Sequence, residues 1–359
     1  MLSSGRGIPS LDGLRAISVA LVFTSHMFMG FFRDFRGFEM NILGKHGVDV
    51  FFVISGFLIT YLLLKELDSA GDISLKRFYL RRFFRIFPAF YVFLGVLGLL
   101  WILKLVPLSS NSYLCAATYI YNYYRYGSDW LVGHCWSLSL EEQFYLLWPP
   151  CLVLLGKRWS TYLAIGIILL SPAVRIMSYF VLPGFRGAEG IMFHTRVDTI
   201  MFGCLLALLY EHEAFDRFVE RWVRPGVAAC CAFYFLAVSP YADARFEARY
   251  TWTVGYTLRA MCVSYVLIYV VRNPASLAGR ALNVRIMRHI GVISYSLYLW
   301  QQLFTGPRAF WFPLNLVLAL ACAETSYLLI ERPALRLRDS IERRFRSAPV
   351  AGAAVMVSE

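Results

Sequence analysis

The chain has 359 residues, of which 58% are hydrophobic and only 16% charged. Its mean hydropathy of +0.56 excludes an ordinary soluble domain. The formal net charge of +12 would by itself suit a nucleic-acid partner, but the positions of the basic residues argue against one, as shown below. Continuous apolar runs, long enough to cross a bilayer core of about 30 Å, recur along the sequence. They do not alternate, so we predict an all-α polytopic membrane protein and no barrel.

Ten transmembrane helices are predicted. Their ranges are 14–32, 48–64, 86–106, 136–156, 160–182, 193–210, 225–240, 252–271, 289–304 and 311–330. Most of the 35 lysines and arginines fall in one alternating set of loops, as the positive-inside rule requires of cytosolic segments. We therefore expect both termini to lie in the cytosol. The basic residues are expected to interact with the lipid bilayer and not with nucleic acid.

The loop before the fourth span, 107–135, is the longest on the outer side and carries "YIYNYYRYGSDW". Its tyrosines are expected to anchor at the membrane surface or, less often, to stack on a sugar. The eight cysteines form no CxxC pair and have no histidine at metal-ligand spacing, so neither a metal site nor a disulfide is predicted.

Ionisable residues inside a bilayer usually face a cavity, so they locate candidate chemistry. The stretch "RAISVALVFTSH" places Arg15 and His26 on one helix face, about 16 Å apart along the axis. His26 is either a general base or the donor of one interhelical hydrogen bond. Arg15 is either a site for a phosphate-bearing ligand that enters from the cytosol or a topology anchor.

Three further segments carry polar groups. In "RFYLRRFFRIFP" (77–88), Arg82 and Arg85 share a face and suit either a phosphate clamp or a positive-inside loop. In "GVDVFFVISGFLIT" (47–60), Ser55 and Gly56 permit close helix approach or leave room for a thin ligand chain. At the start of the same segment, Asp49 would orient an imidazole or cap its own helix.

The segment "HCWSLSLEEQFYLLWP" (134–149) aligns Ser137, Glu141 and Tyr145 along one helix stripe. A carboxylate this far inside a span should not face lipid. It could orient His26, position a substrate hydroxyl, or pair with an arginine of another helix, and the sequence leaves these alternatives open.

Together these segments resemble the membrane-bound acyltransferase-3 family. "LDGLRAISVALVFTSH" resembles its arginine, ten residues, histidine motif, and "FFVISGF", "RFFR", "SLSLEEQFY" and "ISYSLYLWQQ" follow in the family's order, from about residue 8 to residue 334. The resemblance implies an O-acyltransferase of the bacterial inner membrane. Such an enzyme moves an acyl group, often acetyl, from cytosolic acyl-CoA to a hydroxyl of a carbohydrate or lipid-linked glycan.

The resemblance also implies roles for individual residues. His26 matches the catalytic histidine, Arg15, Arg82 and Arg85 match arginines linked to the acyl donor, and Ser137, Glu141 and Tyr145 match the SLxxExxxY pattern. These matching positions are expected to form the site. Acyl-CoA would be a substrate, with no tightly bound cofactor. Many relatives have a histidine where this chain has Gln301, so the role of that position stays open.

The sequence therefore predicts an acyltransferase-3 domain over 1–334 and a short cytosolic tail over 335–359. An appended SGNH hydrolase-like domain, which many relatives carry, is not expected. In the predicted mechanism CoA phosphates bind the arginines, the pantetheine arm passes Ser55 and Gly56, and His26 either deprotonates the alcohol or is itself acylated first. A proton-coupled permease, or a scaffold of a glycan-assembly complex, is the alternative, and a homo-oligomer is left open.

Overall fold

A computed structural model describes residues 8, 10–28, 41–125, 129–186, 190–306 and 312–347. These residues form helices and no strand, which confirms the all-α prediction. The α-helices are α1 (Leu11–Phe28), α2 (Asn41–Ala70), α3 (Leu75–Ile102), α4 (Ser110–Ala117), α5 (Trp130–Gly133), α6 (Cys135–Val181), α7 (Phe193–Leu209), α8 (Glu213–Trp222), α9 (Pro225–Phe233), α10 (Ser239–Phe246), α11 (Ala248–Tyr250), α12 (Tyr256–Arg272), α13 (Leu277–Leu282), α14 (Arg285–Trp300), α15 (Leu314–Ser326) and α16 (Arg332–Ser347).

Six helical stretches of the described chain are long and apolar enough to cross a membrane, by length and composition. They are Ile42–Ala70, Leu75–Ile102, Trp130–Val181, Pro225–Phe246, Ala248–Arg272 and Leu314–Arg343. The third of these covers two predicted spans and breaks at Gly156, whose φ of +68° interrupts the helix. The remaining predicted spans correspond to the shorter helices α1, α7 and α14, so each of the ten overlaps a helix of the described chain, while residues 29–32 and 311 of the first and last spans lie outside it.

Helix α2 lies at the centre and crosses α7 in direct backbone contact. A Cβ on Gly56 would lie 2.0 Å from the carbonyl oxygen of Ile200, and a Cβ on Gly203 would lie 2.0 Å from that of Val53. Close crossings of this kind need small residues on both helices. Gly56 therefore leaves room for α7 and not for a ligand chain, which corrects its predicted place in the donor path.

A buried ion network ties α2 to its neighbours. Asp49 pairs with Arg196 of α7 and, at 2.7 Å, with Arg259 of α12, whose guanidinium also lies 2.8 Å from Asp243. Asp49, Arg196 and Arg259 are all buried. Asp49 thus neither caps α2 nor orients an imidazole, and Arg196 and Arg259 are already paired without Glu141.

The described residues of the predicted outer loop, 107–125 and 129–135, pack in part along α3, and 126–128 lie outside the described residues. Tyr113 of α4 stacks near Trp101 with ring centroids 6.0 Å apart, and Tyr119, just past the helix, stacks on Phe90 at 4.6 Å. The eleven residue steps from Trp101 to Phe90 correspond to about 16 Å along α3. Gln143 Nε2 of α6 donates to the Tyr119 carbonyl at 2.9 Å. The loop therefore packs against α3 and α6 on one side, whereas Leu114, Ile120 and Tyr123 are exposed.

The described part of the C-terminal segment, up to residue 347, also joins the bundle, and residues 348–359 of the predicted tail lie outside the described residues. Helices α15 and α16 are continuous through a π-helical turn at Tyr327–Glu331. Glu342 Oε1 lies 3.8 Å from an Arg81 nitrogen of α3. The predicted boundary after residue 334 thus falls inside a continuous helix that packs against α3.

Candidate active site

The first of two cavities collects guanidinium groups, and we call it the guanidinium cavity. It has a volume of ≈ 300 Å³. Its arginines come from three helices and are Arg15 of α1, Arg81, Arg82 and Arg85 of α3, and Arg338 of α16. The structure thus brings together Arg15, Arg82 and Arg85, the three arginines predicted to bind the acyl donor. It adds Arg81 and Arg338, and Arg338 lies in the predicted tail.

The arginines differ in how far they are neutralised. Arg81 lies 2.6 Å from Glu66, and Arg85 lies 3.1 Å from Glu331. Arg15 and Arg82 make no ion pair with any residue that the structure describes. The Arg82 guanidinium lies over a tyrosine ring of α6, and its Nε has no hydrogen-bond partner in the described chain. Two guanidinium groups without an ion pair can bind a polyanion such as a phosphate group, in a cavity that Glu141 and Glu142 also line.

A short hydrogen-bond chain crosses the same cavity. Ser55 Oγ donates to Glu141 Oε1 at 2.6 Å, and Tyr145 OH donates to Ser55 Oγ at 3.3 Å. All three residues line the guanidinium cavity. Glu141, whose partner the sequence leaves open, and Tyr145 therefore lie in the cavity of the arginines, and the Glu141 carboxylate accepts from Ser55.

His26 lines a second cavity of ≈ 240 Å³, which we call the imidazole chamber. Its lining residues are Val22, His26, Gly44, Lys45, Val48, Gly133, His134, Trp136, Tyr298 and Gln302. His26 Nδ1 lies 3.2 Å from Gln301 Oε1, and the imidazole meets the Trp130 ring edge to face at 5.2 Å. An amide oxygen that accepts from Nδ1 leaves Nε2 as the basic nitrogen. Gln301 thus orients the imidazole, at the position whose role the sequence left open.

The two cavities share part of their walls. Val48 and Tyr298 line both of them. Tyr298 OH also lies 2.6 Å from Ser137 Oγ, which faces the guanidinium cavity. The predicted arginines and the predicted histidine thus lie on two sides of one thin wall, with two hydroxyl groups in it. Sequence analysis missed Tyr298, although it lies in the quoted segment "ISYSLYLWQQ".

Among the described residues, no group of three histidine, cysteine or acidic side chains is placed to hold a metal ion. All eight cysteines are free thiols.

Comparison with known proteins connects this geometry to a family. The acyltransferase-3 family model, described as an acyltransferase domain, matches residues 8–328. The chain is 28% identical to the peptidoglycan O-acetyltransferase OatA of Listeria monocytogenes, over 92% of this chain and 56% of that protein. It is 31% identical to a Bacillus subtilis protein named "Putative peptidoglycan O-acetyltransferase", over 91% of this chain and 55% of the relative.

The chain thus spans somewhat more than half the length of these relatives. No solved structure matches it. The family match covers most of the chain, from three residues before the arginine–histidine helix to the last long apolar helix, and includes both cavities apart from Arg338. The protein is therefore an all-α membrane protein that belongs to the acyltransferase-3 family.

Proposed function

We propose that this protein is a membrane O-acyltransferase that moves an acetyl group from acetyl-CoA to a hydroxyl of a carbohydrate or lipid-linked glycan. One observation carries the proposal. A cavity rich in arginines and a chamber that holds an oriented imidazole share a wall formed in part by Val48 and Tyr298. Such an arrangement suits a polyanionic donor on one side and an alcohol on the other.

The guanidinium cavity would bind the phosphates of CoA. Arg15 and Arg82, which have no carboxylate partner in the described chain, would supply most of the attraction, and Arg85 would add to it. Arg15 and His26 are separated by about 16 Å of helix, similar to the reach of an extended phosphopantetheine arm. A CoA anchored at Arg15 would therefore bring its thioester to the shared wall, and the side chains of Val48 and Tyr298 would have to move for it to reach His26.

The transfer itself would use the imidazole chamber. The alcohol oxygen attacks the thioester carbonyl carbon while its proton passes to His26 Nε2. The carbon–sulfur bond breaks, and the leaving CoA sulfur takes that proton from the imidazolium. The Ser137 and Tyr298 hydroxyls lie 2.6 Å apart in the shared wall, and each lies within 3.2 Å of the His134 carbonyl oxygen. One of them would turn from that carbonyl to donate to the oxyanion that forms on the thioester.

The proposed orientation follows the charge distribution of the loops. Both termini and the guanidinium cavity would face the bacterial cytosol, where acyl-CoA is made, and the imidazole chamber would face the outer side of the inner membrane. The names of the relatives point to peptidoglycan as one class of glycan to test.

Radiolabelled acetyl-CoA incubated with membranes and a glycan extract tests the proposal. Label should appear in the glycan with wild-type protein and be lost by at least about a hundredfold with His26→Ala, since general bases typically contribute that much. His289→Ala is the matched control, because His289 is 54% exposed, pairs with Glu324, and neither residue lines either cavity. Uptake of solute without transfer of label would instead support a permease, and full transfer by His26→Ala would contradict the assigned role.

A further inference from the structure

The imidazole chamber contains a second histidine, His134, which the mechanism above does not use. His134 lies between α5 and α6, is only 2% exposed, and lines the chamber together with His26. A buried histidine in the same cavity as a candidate base needs a physical explanation of its own.

Two consecutive glutamines hold the two imidazoles. Gln301 Oε1 faces His26 Nδ1, and Gln302 Oε1 faces His134 Nδ1. Gln302 Oε1 also accepts the backbone N–H of His134 at 3.4 Å. A backbone N–H can only donate, so the amide atom that it meets is the oxygen, and His134 Nδ1 must carry a proton to bond the same atom. Nε2 of neutral His134 is therefore a lone-pair acceptor.

This acceptor is buried and has no hydrogen-bond partner among the described residues. The ring that carries it is held in place, with Phe93 at 5.5 Å and Tyr298 at 5.4 Å, both edge to face. A buried acceptor without a donor is costly, and native proteins rarely keep one without a reason. Since the ring lines an open chamber, a ligand in that chamber can supply the missing donor.

We propose that His134 Nε2 is a specificity-determining acceptor that selects alcohols with a second donor beside the reactive hydroxyl. This inference rests on the proposed function. While His26 deprotonates one hydroxyl, His134 would accept a hydrogen bond from a neighbouring hydroxyl or amide N–H of the same molecule. A sugar ring offers such adjacent donors, whereas a simple monohydric alcohol does not, so the substrate class is a polyhydroxylated ring.

His134→Asn separates this role from a structural one. The asparagine amide reaches the position of Nδ1 and keeps a donor to Gln302, but it has no atom at the position of Nε2. The backbone carbonyl of His134, which accepts from Tyr298 OH at 3.2 Å, is unaffected by the change. His194→Asn is the matched control, because His194 Nε2 also lacks a partner in the described chain but does not line the chamber.

The test compares trans-cyclohexane-1,2-diol with cyclohexanol as alcohols, using full-length protein in membranes and labelled acetyl-CoA. Wild type and His194→Asn should prefer the diol in kcat/KM by about tenfold, the effect expected of one hydrogen bond. His134→Asn should lose that preference because kcat/KM falls for the diol and stays the same for cyclohexanol. The KM for acetyl-CoA should not change. An equal fall in kcat/KM for both alcohols would overturn the proposal. A raised KM for acetyl-CoA would also overturn it, because the pantetheine amide would then be the group that donates a hydrogen bond to His134.

A second measurement does not depend on turnover. In thermal unfolding of full-length protein in detergent, the diol should raise the midpoint temperature of wild type and His194→Asn more than cyclohexanol does, and His134→Asn should lose that difference. If wild type acetylates neither the two alcohols nor the glycan extract, the proposed function fails, and this stabilisation still tests the role of His134. Equal stabilisation by both alcohols, or stabilisation by neither, would contradict the inference.

Discussion

The hydroxyl of Tyr298 lies 2.6 Å from Ser137 Oγ, and Tyr298 lines both the guanidinium cavity and the imidazole chamber. Tyr298 OH also lies 3.2 Å from the His134 carbonyl oxygen. The residue thus joins α14 to the start of α6 at the point where donor and alcohol would meet. From this position we expect the shared wall to take part in the reaction and not only to separate the two cavities.

Tyr298→Phe should lower the rate of acetyl transfer by roughly tenfold to a hundredfold, because it removes a hydroxyl from the site of the developing oxyanion. The measurement is kcat with saturating acetyl-CoA. Tyr295→Phe is the control: Tyr295 lines the guanidinium cavity, but its hydroxyl donates to the Ile86 carbonyl at 2.9 Å. Equal losses in the two variants would show that the Tyr298 hydroxyl acts only through packing.

Arg82→Ala should raise the KM for acetyl-CoA by roughly tenfold to a hundredfold, since it removes charge-assisted bonds to phosphate. The KM of the alcohol should stay unchanged. Arg77→Ala is the matched control on the same helix, because Arg77 is 40% exposed, pairs with Glu66 at 3.6 Å and does not line the cavity. A normal donor KM in Arg82→Ala would remove the arginine from the donor site.

Gln301→Ala should reduce kcat by roughly tenfold and leave both KM values near those of wild type. The glutamine oxygen 3.2 Å from His26 Nδ1 fixes which imidazole nitrogen is basic, so its loss frees the ring to turn. Initial-rate kinetics check this expectation. A large rise in either KM with kcat preserved would assign Gln301 to substrate binding.

Much of this site was visible in the sequence because apolar runs and polar groups inside them carry strong signals. The helical period placed Arg15 and His26 on one face, and both residues line adjoining cavities. Periodicity cannot tell which helices become neighbours, however. The sequence therefore leaves open whether Glu141 meets the imidazole, a substrate hydroxyl or an arginine, and the structure shows that α2 brings Ser55 to it at 2.6 Å, in the cavity of the arginines.

Other features depend on contacts between distant segments, which composition does not encode. Arg338 lies in an arginine-rich segment that looks like a cytosolic tail, and only the packing of α16 against α3 brings it to the cavity. Tyrosine is a residue type typical of anchors at the membrane surface, yet Tyr119 stacks on Phe90 inside the bundle. Gly56 was ambiguous because a glycine permits either a ligand or a helix to approach, and its contact with α7 decides between them.

Gly56→Ala should destabilise the protein by about 1–3 kcal/mol or more, because the new Cβ would lie 2.0 Å from the Ile200 carbonyl oxygen and force α2 and α7 apart. Thermal unfolding in detergent measures this loss. Gly95→Ala is the control, since nothing lies within 4 Å of its added Cβ. A stable Gly56→Ala protein with a raised KM for acetyl-CoA would restore the glycine to the donor path.

Asp49→Asn should be the most destabilising of these changes. It leaves the guanidinium groups of Arg196 and Arg259 without a shared carboxylate, although both are buried and Arg259 keeps Asp243. Breaking a buried pair in this way typically costs about 3–5 kcal/mol.

Asp216→Asn supplies the comparison for Asp49→Asn, because Asp216 pairs with Arg272 at 2.6 Å but is 45% exposed. An exposed pair contributes less than about 1 kcal/mol. Unfolding of both variants in detergent should therefore separate them clearly. Equal stability of the two variants would show that water or lipid headgroups reach the Asp49 network. Residual transfer activity in folded Asp49→Asn protein would show that this network supports the fold and takes no part in the reaction.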